Sequence, residues 1–243
     1  MISENEVYFN FYKIPRLTRI KNTTYRKLGG IQKYGEWSPL PDGGGPFGAD
    51  IHHALEVCYL IDTYQCDAVL ETGTNTGDTT EFLAKIFPNL KILTCDIEQD
   101  YLNIARDRLR GYKNVEVYLE SSEKFLEKNL KNFNFPFIFL DAHWEDYWPL
   151  KDELALIKKG VVCVDDYDIN VGDFNFDKYN DVIINEKLIK DVKPDVSIFT
   201  NNPQGNYAFP SMQDVPNQRR AGRGYFQLGK DDGLFLRNNI FKR

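Results

Sequence analysis

Between Asp67 and Asp166 the sequence alternates short apolar runs with longer amphipathic stretches. This rhythm is typical of βαβ units, in which each apolar run becomes a strand of a parallel sheet and each amphipathic stretch becomes a crossover helix. Right-handed crossovers of this kind place helices on both faces of the sheet. The alternation therefore predicts an α/β fold.

The same pattern gives positions for the individual elements. We predict strands at residues 68–71, 91–95, 115–119, 137–140, 161–164, 196–200 and 224–228. We predict helices at residues 49–64, 78–86, 99–110, 121–130, 149–158 and 181–189. The expected fold is a Rossmann-like, doubly wound sheet of seven mostly parallel strands, with an antiparallel C-terminal strand and helices on both faces.

A chain of 243 residues is long enough for one such domain with additions. We expect an N-terminal extension over residues 1–48, serving as a lid, a substrate segment or a dimer arm, and a single domain over residues 49–243. A polar loop near residues 201–223 is expected to cover the site. Its arginines, Arg219, Arg220 and Arg223, could bind an anionic substrate group or remain solvated.

Composition and charge exclude several classes of protein. The net charge of −6 argues against broad nucleic-acid binding, which depends on neutralising phosphates. The sequence contains neither an apolar run long enough to span a membrane nor the layout of a signal peptide. The four cysteines lack a C-x-x-C pair, so we expect reduced core thiols. We therefore expect a cytoplasmic protein that binds a small-molecule substrate, with no membrane partner, while a homodimer stays open.

The loop after the first predicted strand is the most informative local motif, Glu71-Thr-Gly-Thr-Asn-Thr-Gly77. Gly73 and Gly77 would let the backbone approach a ligand where a Cβ would collide. The start of the next helix would offer N–H groups and the Thr79 hydroxyl to a carboxylate or phosphate. The Gly-x-x-x-Gly spacing matches neither the dinucleotide fingerprint nor the P-loop. By itself the loop fits a cofactor site or an ordinary strand-to-helix turn.

Acidic residues lie at the ends of the first five predicted strands, where a doubly wound sheet binds its ligands. Asp96, after the second strand, could accept hydrogen bonds from both hydroxyls of a ribose, or it could cap the next helix. Ser122 and Glu123 follow the third strand and would then lie along an adenine edge. Their alternative role is the N-terminal cap of a helix.

Asp141, Asp165 and Asp166 follow the fourth and fifth predicted strands. Three carboxylates at neighbouring strand ends repel one another unless a cation lies between them. Hard oxygen ligands suit Mg²⁺ or a similar divalent ion. Alternatively, Asp165 and Asp166 begin a solvated loop.

Four motifs in order resemble a known family: the glycine loop from Glu71, Thr94-Cys-Asp96, Phe139-Leu-Asp-Ala-His-Trp144 and Val164-Asp-Asp-Tyr167. Together they resemble class I S-adenosylmethionine-dependent methyltransferases, and most of all the metal-dependent O-methyltransferases of the catechol and macrocin types. The resemblance implies S-adenosyl-L-methionine and a divalent metal, expected to be Mg²⁺, as cofactors. It also implies methylation of a hydroxyl on a small polyhydroxylated molecule such as a sugar or nucleotide-linked sugar.

The resemblance further implies a role for individual residues. The glycine loop would contact the methionine part of the cofactor, the acid after the second strand the ribose, and the turn after the third strand the adenine. The implied cofactor-binding residues are Glu71, Gly73, Thr74, Asn75, Gly77, Thr79, Asp96, Ile97, Ser122, Glu123 and Asp141. The implied metal ligands are Asp141, Asp165 and Asp166.

The chain departs from the family pattern at the catalytic base. Catechol-type enzymes carry a lysine shortly after the first metal-binding aspartate, and macrocin-type enzymes carry a second aspartate two residues on. Here His143 stands at that second place, so we expect Asp141 and His143 to be catalytic, because imidazole accepts a hydroxyl proton near neutral pH. His143 could also be a metal ligand or a structural residue, and Glu145 and Lys151 are further base candidates.

Two other functions stay open. One is a nicotinamide-dependent oxidoreductase, which is disfavoured because Asn75 occupies the position of a fingerprint glycine. The other is a catalytically silent binding protein that keeps the cofactor fold.

Overall fold

The structure is a computed structural model that describes residues 2–13, 45–143, 147–211 and 220–243. Its strands are β1 Ala68–Thr72, β2 Lys91–Asp96, β3 Val115–Leu119, β4 Phe137–Leu140, β5 Gly160–Val164, β6 Lys178–Tyr179, β7 Val182–Ile183, β8 Phe199–Asn201, β9 Gly224–Leu228 and β10 Phe241–Lys242. Its α-helices are α1 Glu4–Lys13, α2 Ile51–Tyr64, α3 Asp78–Ile86, α4 Gln99–Leu109, α5 Ser122–Asn129, α6 Leu150–Leu156 and α7 Glu186–Val192. Short 3₁₀ helices span Pro46–Ala49, Leu130–Asn132 and Asp232–Arg237.

The main sheet has the strand order β10-β8-β9-β5-β4-β1-β2-β3. The five strands from β5 to β3 in this order run parallel, whereas β9 runs antiparallel to β5 and to β8. The predicted Rossmann-like, doubly wound fold is therefore confirmed. The sheet has eight described strands rather than seven because β10 adds an edge strand antiparallel to β8.

Helices cover both faces of the central strands. β1, β4 and β5 are buried at every position, as expected for parallel strands between two helical layers. One apolar cluster joins the sheet to α1, α2 and α3, through residues such as Phe11, Leu60 and Phe82. A second cluster joins the opposite face to α5, α6 and α7, through residues such as Phe125 and Leu154. Because the five central strands run parallel, their carboxyl ends lie together at one edge of this sheet.

Some predicted boundaries were wrong, mostly in the last third of the chain. The predicted helix at 181–189 contains β7, which pairs with β6, and α7 begins only at Glu186. The cause is local, because the Asn185 side chain accepts the Leu188 N–H at 3.1 Å and caps the helix there. The predicted strand at 196–200 is the shorter β8, and the predicted helix at 149–158 is α6.

One late-loop arginine is a structural residue. Arg223 is 2% exposed, and its Nη1 donates to Asp50 Oδ2 at 2.7 Å. Its Nε and Nη2 donate to the two carboxylate oxygens of Glu56 at 3.0 and 2.9 Å. These bonds connect β9 to the start of α2, so Arg223 is not available to bind an anionic substrate. The Arg220 guanidinium lies 4.5 Å from the centre of the Phe174 ring, and Arg219 lies outside the described residues.

The four cysteines are buried free thiols, as predicted. Burial raises the pKa of the Cys66 thiol to about 12, so this thiol stays protonated near neutral pH. Among the described residues, we found no helix with the length and apolar character that a membrane crossing requires.

Candidate functional site

The loop after β1 is held against β2 by its own backbone. The N–H groups of Gly73 and Thr74 both donate to the carbonyl oxygen of Cys95, at 2.9 and 3.0 Å. Gly73 has a φ of +89°, a left-handed conformation that favours glycine. A Cβ at Gly73 would lie 2.3 Å from the carbonyl oxygen of Asp141. Glycine is thus required where the loop passes the residue that follows β4.

The second glycine allows close packing between two helices. Gly77 precedes α3 with a φ of +79°, and a Cβ there would lie 3.3 Å from Ala105 Cβ in α4. Arg108 of α4 clamps the same helix start, donating to Asp78 Oδ2 and Glu81 Oε2, each at 2.7 Å. Arg108 was not identified from the sequence, although two acids in the first turn of a predicted helix were a signal that a cation lies nearby.

Asp96 lies at the end of β2 with both carboxylate oxygens held in place. Its Oδ2 accepts the Asn75 N–H at 2.7 Å, and its Oδ1 accepts the Glu98 N–H at 2.9 Å. Burial raises the pKa of Asp96, and these backbone hydrogen bonds oppose that shift. The carboxylate is therefore anchored to the glycine loop while it remains partly exposed at the edge of the sheet.

Other residues of the predicted cofactor group lie deeper. Glu71 is 1% exposed and accepts a hydrogen bond from the Thr80 hydroxyl. Burial raises the pKa of Glu71 to about 7. The Thr74 hydroxyl is buried against the Thr94 hydroxyl at 2.6 Å. The Thr79 hydroxyl accepts the Phe47 N–H at 2.9 Å.

The remaining residues of that group lie nearer the surface, and Asn75 and Ile97 are exposed. Asn75 has a φ of +46°, which turns the loop towards Asp96. The structure therefore assembles the loop around Asp96 and places Asn75 and Ile97 beside it.

The turn between β3 and α5 contains Ser122 and Glu123. Ser122 is 1% exposed and is the first residue of α5, so the N-cap position belongs to Ser121. Glu123 Oε1 accepts the Ser121 hydroxyl at 2.7 Å, and Oε2 accepts the hydroxyl of Tyr147 at 2.9 Å. Tyr147 comes from the segment after β4 and was not identified from the sequence.

At the ends of β4 and β5, the structure brings Asp141, His143 and Asp166 together. One potential ligand atom from each lies within 4.8 Å of the others. His143 is 2% exposed, and its Nε2 lies 3.9 Å from Asp166 Oδ2. Asp166 has a φ of +48°, an uncommon conformation for a residue other than glycine. Two carboxylates and an imidazole form a suitable ligand set for a divalent cation.

Asp165 lies apart from this group. Its Oδ1 lies 4.0 Å from Nδ1 of His53, a buried residue of α2. Burial and the charge of Arg223 lower the pKa of His53 well below its ordinary value, so its imidazole is neutral near pH 7. His53 Nε2 contacts Cys163 Sγ at 3.5 Å. Of the sequence-predicted metal ligands, the structure groups Asp141 and Asp166 with His143, and it places Asp165 beside α2.

The edge of the sheet at the carboxyl ends of the strands has two halves. The cofactor half, at the ends of β1 and β2, carries the glycine loop and Asp96, and the other half, at the ends of β4 and β5, carries the acidic cluster of Asp141, His143 and Asp166. The two halves meet at the end of β1. The Asp141 N–H donates to the carbonyl oxygen of Thr72 at 3.1 Å, and Gly73 passes directly beside Asp141. The glycine loop is therefore in direct contact with the first residue of the acidic cluster. Lys151 is exposed in the first turn of α6, and Glu145 lies outside the described residues.

Comparisons with known proteins agree with this fold. The fold is similar to that of an O-methyltransferase from Bacillus cereus in complex with SAH, at 18% identity over 88% of this chain and 94% of that one, with a TM-score of 0.51. It is also similar to a protein from Staphylococcus aureus assigned provisionally as a caffeoyl-CoA O-methyltransferase, at 16% identity over 86% and 93% of the two chains, with a TM-score of 0.51.

A search of curated proteins found no significant match. The family model for O-methyltransferases matches residues 49–200, which is more than half of the chain. On this match the chain belongs to the O-methyltransferase family and is an S-adenosylmethionine-dependent methyltransferase.

Proposed function

We propose that this enzyme methylates a hydroxyl of a small polyhydroxylated molecule, such as a sugar or nucleotide-linked sugar, and needs a divalent cation to do so. The observation that carries the proposal is the convergence of Asp141, His143 and Asp166 beside the glycine loop. Ligands of one small cation lie roughly 3 to 4 Å apart, and the separation of 3.9 Å between His143 Nε2 and Asp166 Oδ2 fits that spacing.

The chemistry of Asp96 supports its role as the ribose-binding residue. A carboxylate offers about four acceptor positions, and the N–H groups of Asn75 and Glu98 occupy two of them. Acceptor capacity therefore remains for the hydroxyl groups of a ribose. The anchoring bonds also fix the orientation of the carboxylate before the cofactor binds, which limits the entropy lost on binding.

The chain's own residues then position the reaction. A bound divalent cation would lower the pKa of a substrate hydroxyl and favour substrates with two adjacent oxygens. Asp141 belongs to both halves of the site, because its side chain joins the acidic cluster while its backbone contacts Thr72 and Gly73. With cofactor and substrate bound, that shared backbone would position the two relative to each other, the main contribution expected in a transfer governed by positioning. We assign His143 to metal binding rather than to proton abstraction.

The metal requirement is tested by calorimetric titration with Mg²⁺ and Mn²⁺. Asp166→Asn should weaken metal binding about tenfold or more, while S-adenosylhomocysteine binds as it does to the wild type. Asp173→Asn, the same change at an exposed position of the following loop, is the matched control. Unchanged metal affinity in Asp166→Asn, or full turnover in the presence of a chelator, would remove the cation from the proposal.

The substrate class is tested by turnover against three sets of acceptors: free sugars, nucleotide-linked sugars and aromatic diols. We expect methylation of acceptors with two adjacent oxygens and none of matched acceptors with a single hydroxyl. The same panel addresses the silent binding protein, because that alternative predicts S-adenosylhomocysteine binding without turnover on any acceptor. Family membership argues against the nicotinamide-dependent oxidoreductase, and NAD should not bind in the same titration.

A further inference from the structure

Tyr147 connects two loops of the cofactor half of the site through one hydroxyl group. This hydroxyl accepts the Ser122 N–H at 3.0 Å and donates to Glu123 Oε2 at 2.9 Å. The Ser122 hydroxyl lies 3.1 Å from the same oxygen. Tyr147 is half-buried in the segment between β4 and α6, whereas its partners begin α5. The Tyr147 hydroxyl therefore holds the β3–α5 turn in place from a different segment of the chain.

The protonation states of the two partners suit this arrangement. Burial opposes ionisation of Glu123, but hydrogen bonds from Ser121, its own backbone N–H and Tyr147 outweigh burial and lower its pKa. Burial is also the main cause that raises the pKa of the Tyr147 phenol to about 12. Near neutral pH the phenol therefore keeps its proton and donates it to an ionised carboxylate. Such a charge-assisted hydrogen bond holds the carboxylate more firmly than a neutral one.

The hydrogen bond from Tyr147 to Glu123 matters for the cofactor because of where Glu123 lies relative to Asp96. Strands β2 and β3 run parallel with Asp96 opposite Leu119, and the Glu120 N–H donates to the Asp96 carbonyl oxygen at 3.1 Å. A ribose bound at Asp96 therefore directs its base towards the β3–α5 turn. The turn has a second acid, Glu120, whose carboxylate pairs with Lys128, so Glu123 is the acidic group of this turn that can meet the base.

We propose that Tyr147 is a specificity-determining positioning residue, whose hydroxyl orients the Glu123 carboxylate to accept the exocyclic amino group of adenine. A carboxylate accepts a hydrogen bond from an amino group and repels a carbonyl oxygen, so it selects a 6-amino purine over a 6-oxo purine. Glu123 holds three donors, from Ser121, Tyr147 and its own backbone, which leaves acceptor capacity for a fourth. This inference rests on the cofactor site described under the proposed function.

The test measures the affinities of the full chain for S-adenosylhomocysteine and S-inosylhomocysteine, which differ in the purine ring: the second has a 6-oxo group in place of the 6-amino group and a proton on N1. The wild type should prefer the adenosyl compound about tenfold or more. Tyr147→Phe should lower this preference at least about threefold, because the carboxylate loses the donor that orients it. Glu123→Gln should nearly abolish the preference, since an amide can also donate to the oxo group.

Tyr118→Phe is the matched control. It also removes a phenol hydroxyl that donates to a glutamate, Glu116, but both of these residues belong to β3. It should leave the preference unchanged, and thermal unfolding of each variant separates loss of fold from loss of selectivity. If the wild type binds neither compound, our assignment of the cofactor site is wrong. If it binds the adenosyl compound and Tyr147→Phe keeps the full preference, the role of Tyr147 is wrong while the proposed function stands.

Discussion

The two halves of the strand-end edge are built from different kinds of contact. At the ends of β1 and β2 the groups are held by backbone hydrogen bonds, from Gly73 and Thr74 to Cys95 and from Asn75 to Asp96. At the ends of β4 and β5 the arrangement depends on side chains from distant segments, such as His53 of α2 beside Asp165. The first half is therefore organised locally, and the second depends on the tertiary fold.

The boundary between the halves, where Gly73 passes Asp141, is the place where we expect a substitution to destabilise the fold most. Gly73→Ala should remove about 4 kcal/mol of the free energy of unfolding, combining a left-handed backbone conformation with a steric clash. The clash is with the Asp141 carbonyl oxygen, 2.3 Å from the added Cβ. Chemical denaturation measures this loss, and S-adenosylhomocysteine and metal affinity should fall together.

Gly172→Ala is the control for this change. A Cβ at Gly172 would have no heavy atom of the described residues within 4 Å, outside its chain neighbours, and the residue is exposed. We expect the free energy of unfolding of this variant to lie within about 0.5 kcal/mol of the wild-type value. If Gly73→Ala is equally mild, the two halves are not coupled through this contact.

Glu153 provides a pH-dependent test of the first half. This residue of α6 is fully buried, and burial raises its pKa from 4.5 to about 7, although the nearby Ser122 and Thr72 hydroxyls oppose the shift. The stability that its protonated form supplies is present below pH 4.5 and is lost as pH rises through about 7. At pH 8 the ionised carboxylate should therefore cost up to about 3 kcal/mol.

Glu153→Gln removes that cost. It should raise the free energy of unfolding at pH 8 and have little effect at pH 4.5, measured by denaturant unfolding at both pH values. Asp152→Asn, at the exposed neighbouring position, should show no such difference between the two pH values. A Glu153→Gln variant that is less stable than the wild type at pH 8 would show that Glu153 is ionised and well paired.

The same contrast explains what could be predicted from the sequence. The βαβ rhythm determined the central sheet, and Asp96 could be located because a strand end is a local property of the sequence. The choice between Asp165 and Asp166 could not be made in this way. It depends on the left-handed backbone at Asp166 and on His53, which arrives from α2.

Tyr147 and Arg108 escaped sequence analysis for a related physical reason. Tyr147 lies between β4 and α6, in a stretch of sequence whose pattern has no periodicity to show the direction of a side chain. Arg108 reaches Asp78 and Glu81 across two packed helices, and the order of residues along the chain does not encode that pairing. The sequence thus locates the site residues at strand ends, whereas the residues that contact them from other elements are visible only in the structure.

The smallest effect is expected at Asp96, where backbone bonds supply most of the local order. Asp96→Asn should weaken S-adenosylhomocysteine binding by about 1.5 kcal/mol, roughly tenfold, because an amide replaces one acceptor of the ribose-binding carboxylate by a donor. Stability should change little, since the amide oxygen can still accept a backbone N–H from Asn75 or Glu98. Calorimetry measures the affinity, with Asp100→Asn at an exposed position of α4 as the control. Because Asp96 is not one of the three residues that form the acidic cluster, metal affinity should stay at the wild-type value. A parallel loss of metal binding would mean that Asp96 also maintains the acidic cluster, and the division into a local half and a tertiary half would then be wrong.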